Sequence, residues 1–207
     1  EALNNYLLRL GWSHGDNETI SQEQAINWFD LKGIGKSASR FDLDKLSNLN
    51  NHYMNECNDD RLIKLIMPKI FALLGDNISQ QTEARLKLGM FHLKNRSKNI
   101  NELANNSLVY CIRRKIEIDN KAAKVLDQNG LQILLNVRHE LKNIEYWTEE
   151  HITQAIRKVC DTAQIGLGKI AQPLRSALCG SLPAPGIFEV MKTLGERETL
   201  GRIDDVL

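Results

Sequence analysis

An all-α fold is what this sequence predicts. Apolar residues recur at spacings of three and four over most of the chain, strand-like alternation is scarce, and only 4 prolines interrupt 207 residues. Capping residues stand where the periodic runs begin, which places helix starts independently of the apolar pattern. Ala2 to Leu10 reads as a short helix ended by Gly11, and Ser13 to Asn17 as a loop by composition. Ser21 and Gln24 have capping-box spacing, and Ala25, Ile26, Trp28 and Phe29 then form an apolar face. Leu31 to Arg40, with two glycines and two serines, is a connector. Asp42 to Glu56 is helical, with Leu43, Leu46, Leu49 and Tyr53 on one side.

The pattern resets between Cys57 and Asp60, and a domain boundary is expected there. Arg61 to Leu74 is strongly apolar and helical, with Pro68 expected to bend it. Further helices are expected at Gln80 to Asn95, Ile100 to Arg113, Lys121 to Gln128 and Leu131 to Asn143. The pair Asn129-Gly130 reads as a break between the last two. Thr148 caps a helix from Glu149 to Ala163 that stops near Gly166. Short helices follow at Lys169 to Leu178, Gly186 to Leu194 and Glu196 to Val206.

The totals describe an ordinary water-soluble composition. Hydrophobic residues make up 42% and charged residues 26%, and the formal net charge is only +1. Gross charge therefore does not announce a nucleic-acid binder, and any positive surface must come from local arrangement. No apolar run approaches the roughly 20 residues that span a bilayer. Glu1, not Met, opens the chain, which points to a piece of a longer protein. Cys57, Cys111, Cys160 and Cys179 are far apart and form no CxxC pair, so reduced thiols are expected and no zinc site. The five histidines are equally dispersed. No Ser/His/Asp or Cys/His set can be nominated. Gly35-Lys36-Ser37-Ala38-Ser39 lacks Walker A spacing and reads as a polar loop.

Two runs carry more information than the rest. ALNNYLLRLGWS, Ala2 to Ser13, resembles the segment just after the catalytic domain of bacterial glutamyl-tRNA synthetases. GLGKIAQPLRSALCGS, Gly166 to Ser181, with the APGIFEVMKTLG that follows, resembles the C-terminal end of the same family, which grips the anticodon arm of the tRNA. The matches lie at opposite ends in the right order. They imply residues 1–57 as a stem-contact region. Residues 58–207 would form an anticodon-binding domain, with subdomains at about 58–112 and 113–207. Neither nucleotide-binding signature of a class I synthetase, of the HIGH or KMSKS type, is present. The resemblance therefore implies that ATP, magnesium and catalysis belong to a preceding catalytic domain, and that this piece is inactive alone and holds no cofactor.

The same resemblance implies particular tRNA contacts. Arg96 matches an Arg that meets the third anticodon base. A guanidinium offers only donors, which suits the O2 and N3 acceptors of cytosine. It opposes the N1–H and N2–H donors of guanine. The family's "TLKE"-like stretch after this Arg is matched only in part by Asn99-Ile100-Asn101-Glu102. Arg157 and Arg175 match family arginines near the anticodon loop, suited to phosphates or unpaired bases. Ala184, Pro185 and Ile187 match positions that contact the second and third bases, partly through main-chain groups. Ala184 stands where some relatives have Thr, so a hydroxyl contact is missing there. Lys45 matches a tRNA-facing Lys, while Asn48 stands where many relatives carry Trp. Phe188, Trp12 and Trp28 are expected in the core. The reading is a cytoplasmic, monomeric, tRNA-binding piece of a glutamate–tRNA ligase, its partners the anticodon loop and inner stem of glutamate tRNA. A helical protein–protein adaptor or a stand-alone RNA-binding paralogue is the alternative.

Overall fold

The structure is a computed structural model and describes residues 1–181 and 185–207. It is all-helical, as expected. Among the described residues the only β pairing is two isolated bridges, Trp12 with Ile34 and Ile78 with Ile112.

The first three helices are α1 (Ala2–Gly11), α2 (Gln22–Trp28) and α3 (Leu43–Glu56). The capping box at Ser21 is present in full. Asp42 caps α3 by accepting from the amides of Asp44 and Lys45. α1 packs on α3, and one buried side chain ties this part together. Asn5 accepts from the Ile20 amide at 2.6 Å and the Tyr53 hydroxyl at 2.8 Å, and donates to the Glu18 carbonyl at 3.0 Å. Trp12 is buried, as expected, and donates to the Asp30 carbonyl. Trp28 is only half-buried and stacks on His14. The apolar face expected of α2 finds no partner: Ile26 is 71% exposed and Phe29 51%. Leu43, expected on the packed side of α3, is exposed as well.

From Asp59 the chain builds a dense core. α4 (Asp59–Leu74), α5 (Thr82–Asn95) and α6 (Ile100–Cys111) pack together, and α4 runs on through Pro68. After the single turn α7 (Asn120–Ala123) come α8 (Gln128–Lys142), α9 (Glu149–Ala163) and α10 (Leu167–Cys179). α11 (Ile187–Leu194) packs against α5, α6, α9 and α10. α12 (Glu196–Asp204) closes the chain against α8, α10 and α11. One apolar cluster runs continuously from Met54 to Ile203.

The expected helix from Lys121 to Gln128 is a correction. Only Asn120–Ala123 is helical there, and Asn129-Gly130 is not a break but part of the first turn of α8. Asp127 caps that helix and accepts from the Gly130 amide at 2.8 Å. Gly130 is glycine because a Cβ would strike the Val125 carbonyl. Close approach, not turn-making, accounts for this glycine.

A buried ionic hub locks the last helix in place. Arg202 is fully buried and donates to the carbonyls of Val109 (2.9 Å), Leu178 (2.7 Å) and Ile112 (3.2 Å). Glu198 takes its Nε at 2.8 Å and takes Arg85 at 3.1 Å. Burial alone would raise the Glu198 carboxyl; the two guanidiniums outweigh it and hold it below its usual range.

Candidate nucleic-acid interface

Arg96 follows the last residue of α5, in a turn gripped from two sides. Its amide bonds the Leu93 carbonyl at 3.3 Å, and the Ser97 hydroxyl donates to the same carbonyl at 2.7 Å. From α6, Asn106 donates to the Arg96 carbonyl at 3.3 Å and to Ser97 Oγ at 3.0 Å. From α3, Asn51 donates to the carbonyls of Lys94 (2.9 Å) and Ser97 (2.7 Å), and Asn50 to that of Lys98 (2.7 Å). Asn99 caps α6 by accepting from the Glu102 amide at 2.9 Å, and Glu102 accepts in return from the Lys98 amide at 2.8 Å. The departure from the family's stretch thus still makes a sound helix start. Every polar group of the turn backbone is spoken for, which sets the base of the Arg96 side chain.

The Arg96 side chain is 45% exposed. Its Nη2 donates to Glu189 Oε1 at 2.9 Å, and His92 Nδ1 lies 3.3 Å from the same oxygen. Glu189 belongs to the first turn of α11, three residues after Gly186. A Cβ on Gly186 would come within 3.0 Å of Arg96 Nη2 and 2.8 Å of Glu189 Oε2. Arg96 and the start of α11, 90 residues apart in the chain, therefore touch. Tyr110 is buried close enough to feel the charge of both Arg96 and Glu189. Burial pushes its phenol up to about 12, with Thr193 working slightly against this and the charge of Glu189 adding to it.

The other residues singled out from the sequence lie on several elements. Pro185 is half-buried in a cleft beside Asn106, Val109 and Cys179. Ile187 is 4% exposed and its side chain belongs to the core, so only its main chain is left for a ligand. Gly186 offers no side-chain cap to α11, and no acceptor for the first-turn amides is found among the described residues. Ala184 and Pro183 lie outside the described residues. Phe188 is partly buried against the core, as expected. Arg157 is exposed on α9 and Arg175 half-buried on α10, neither making an ion pair among the described residues. Both helices pack on α11. Lys45 stands apart, exposed in the first turn of α3, 3.8 Å from Glu18.

Glu189, Asn51 and Asn106 escaped the reading of the sequence. The one local signal was an acidic residue in the first turn of α11, which favours a helix N-terminus on its own account. That its partner is Arg96 depends on the packing of α5 against α11, and no local pattern reports it.

The profile of the anticodon binding domain family matches residues 61–207, and the chain belongs to that family. Its similarity to individual proteins points the same way as the two terminal runs of the sequence. It is 49% identical over 208 residues to glutamate–tRNA ligase 2 of Paramagnetospirillum magneticum, covering 100% of this chain and 44% of that protein. It is 46% identical to glutamate–tRNA ligase 2 of Zymomonas mobilis, covering 100% of this chain and 43% of that one. The chain thus spans less than half the length of the relatives it matches. Among solved structures, a glutamate–tRNA ligase from Elizabethkingia meningosepticum superposes with a TM-score of 0.79 at 24% identity, over 100% of this chain and 40% of that one. That likeness shows the fold. Among the described residues, no helix is long and apolar enough to cross a membrane.

Proposed function

We propose that this chain is the tRNA-reading portion of a glutamate–tRNA ligase. The parent would join glutamate to its tRNA at the expense of ATP, in the cytoplasm, as a monomer. ATP and magnesium would be bound by the catalytic domain that this chain lacks. Residues 1–57 would meet the inner stem through Lys45, and residues 58–207 the anticodon loop, with subdomains at about 58–112 and 113–207.

One observation carries the reading: Arg96 lies directly against the Gly186 end of α11. Two sequence runs with the same expected role meet in space. On this reading Arg96 donates to the O2 and N3 of a cytosine at the third anticodon position. The rigid Pro185-Gly186 entry and the first-turn amides of α11 read the base beside it through main-chain groups, with little entropy lost on binding. Arg157 and Arg175, which make no ion pair among the described residues, take phosphates or stack on unpaired bases.

Arg96→Gln in the full-length parent tests this. Glutamine offers an acceptor as well as a donor and so accommodates guanine. Competition binding with two tRNAs that differ only at the third anticodon base should show discrimination reduced by about 1–3 kcal/mol. An unchanged preference would make Arg96 a surface residue without a reading role.

A further inference from the structure

We infer that Glu189 is a positioning residue that sets the third-base preference of Arg96; the inference rests on the reading of Arg96 given above. Glu189 makes no base contact in this scheme. It acts through the guanidinium it holds.

The geometry is specific. The Glu189 side chain is only 16% exposed; its Oε1 accepts from Arg96 Nη2, and His92 Nδ1 lies 3.3 Å from the same oxygen. Its Oε2 is buried, with no hydrogen-bond partner among the described residues, and faces the backbone of Gly186. An arginine at the end of a helix has many rotamers, and freezing them on binding opposes association. A carboxylate fixed in the first turn of α11 does this beforehand. One of the five guanidinium N–H groups is used and the others remain for a ligand. Gly186 supplies the necessary space: a Cβ there would meet both partners.

The two residues prefer opposite bases. A carboxylate only accepts, so it repels the O2 and N3 of cytosine, where only the N4 amino group suits it, and it matches the paired N1–H and N2–H donors of guanine. While Arg96 lies over it, the pair presents donors. With Arg96 gone, a poorly solvated acceptor is uncovered, one of its oxygens without a donor among the described residues. Loss of Arg96 should therefore do more than relax the preference. It should turn the site towards guanine, and Glu189 should be the cause.

The experiment is aminoacylation by the full-length ligase of two tRNA transcripts differing only in cytosine or guanine at the third anticodon base. The ratio of their kcat/KM values within one preparation is independent of how much of the enzyme is folded. Glu189→Gln keeps the shape and removes the charge; the ratio should fall about three- to tenfold, through KM for the cytosine tRNA, the difference between charged and neutral hydrogen bonds. Glu189→Ala should lower it further. Adding Glu189→Gln to Arg96→Gln should raise the ratio again by reducing use of the guanine tRNA. If both Glu189 variants keep the wild-type ratio while Arg96→Gln lowers it, the positioning role is refuted and the reading of Arg96 stands. If the double variant matches Arg96→Gln, the uncovered carboxylate is not what accepts guanine. A wild type without preference between the two tRNAs refutes both the reading and the inference.

Discussion

The helices before Cys57 and those after Asp59 are both amphipathic in sequence, yet they are held by different means. Before Cys57 the buried apolar residues are few: Ala2, Tyr6, Trp12, Ile20 and Met54. The part is tied instead by polar bonds, above all the three that Asn5 makes to Glu18, Ile20 and Tyr53. Ile26, Phe29, Leu31 and Leu43 stay exposed. After Asp59 a continuous apolar cluster takes over, and the ionic hub of Arg85, Glu198 and Arg202 is sealed inside it. Apolar periodicity reports that a helix has a face; it does not report that the face has a partner. The two parts meet at a polar seam, where Asn50 and Asn51 of α3 grip the turn that carries Arg96. The part with less core thus helps to hold a residue of the denser part.

Three substitutions would break or sharpen this contrast. Glu198→Gln should have the largest effect, because it leaves Arg85 and Arg202 buried without their counter-charge. A loss of about 3–5 kcal/mol in urea unfolding near neutral pH is expected. The effect has a pH signature. The folded carboxyl is held below its usual 4.5. Its stabilisation is therefore complete above that value and is lost as pH falls through the folded value. The gap between wild type and variant should narrow in acid below about 4.5 and be constant above it. A gap that does not change with pH would mean that shape, not charge, matters at Glu198.

Asn5→Ala should come second. It removes one side chain, strands the Ile20 amide and the Glu18 carbonyl, and leaves the Tyr53 hydroxyl only its longer bond to the Ile20 carbonyl, a loss of about 1–3 kcal/mol. Hydrogen exchange should speed up in α1 and around Ile20 while the amides of α8 to α12 keep their protection. Equal loss of protection in α8 to α12 would show that the two parts unfold as one. The smallest effect is expected from Ile26→Ala, since the side chain already lies in water. Thermal unfolding should shift by no more than about 0.5 kcal/mol. A loss several times larger would mean that the α2 face is covered in solution.

Much was settled by the sequence alone. The all-α class, ten of the helices within a few residues, the caps at Ser21 and Thr148 and the resemblance at both ends are local or linear properties, and a chain carries those in its spacing. The exceptions came from context. Asn129-Gly130 has the composition of a turn, but the Val125 carbonyl behind Gly130 and the cap from Asp127 make it the opening of a helix. The face of α2 is apolar in sequence and wet in the fold, since burial needs a second surface. Ile187 matched a ligand-contacting position, yet its side chain turned into the core. Glu189 could not be found at all, because an ion pair across 93 residues exists only once α5 and α11 have packed. Spacing fixes which residues share a helix face; which faces meet, and so which charges become neighbours, is decided by the packing of the whole chain.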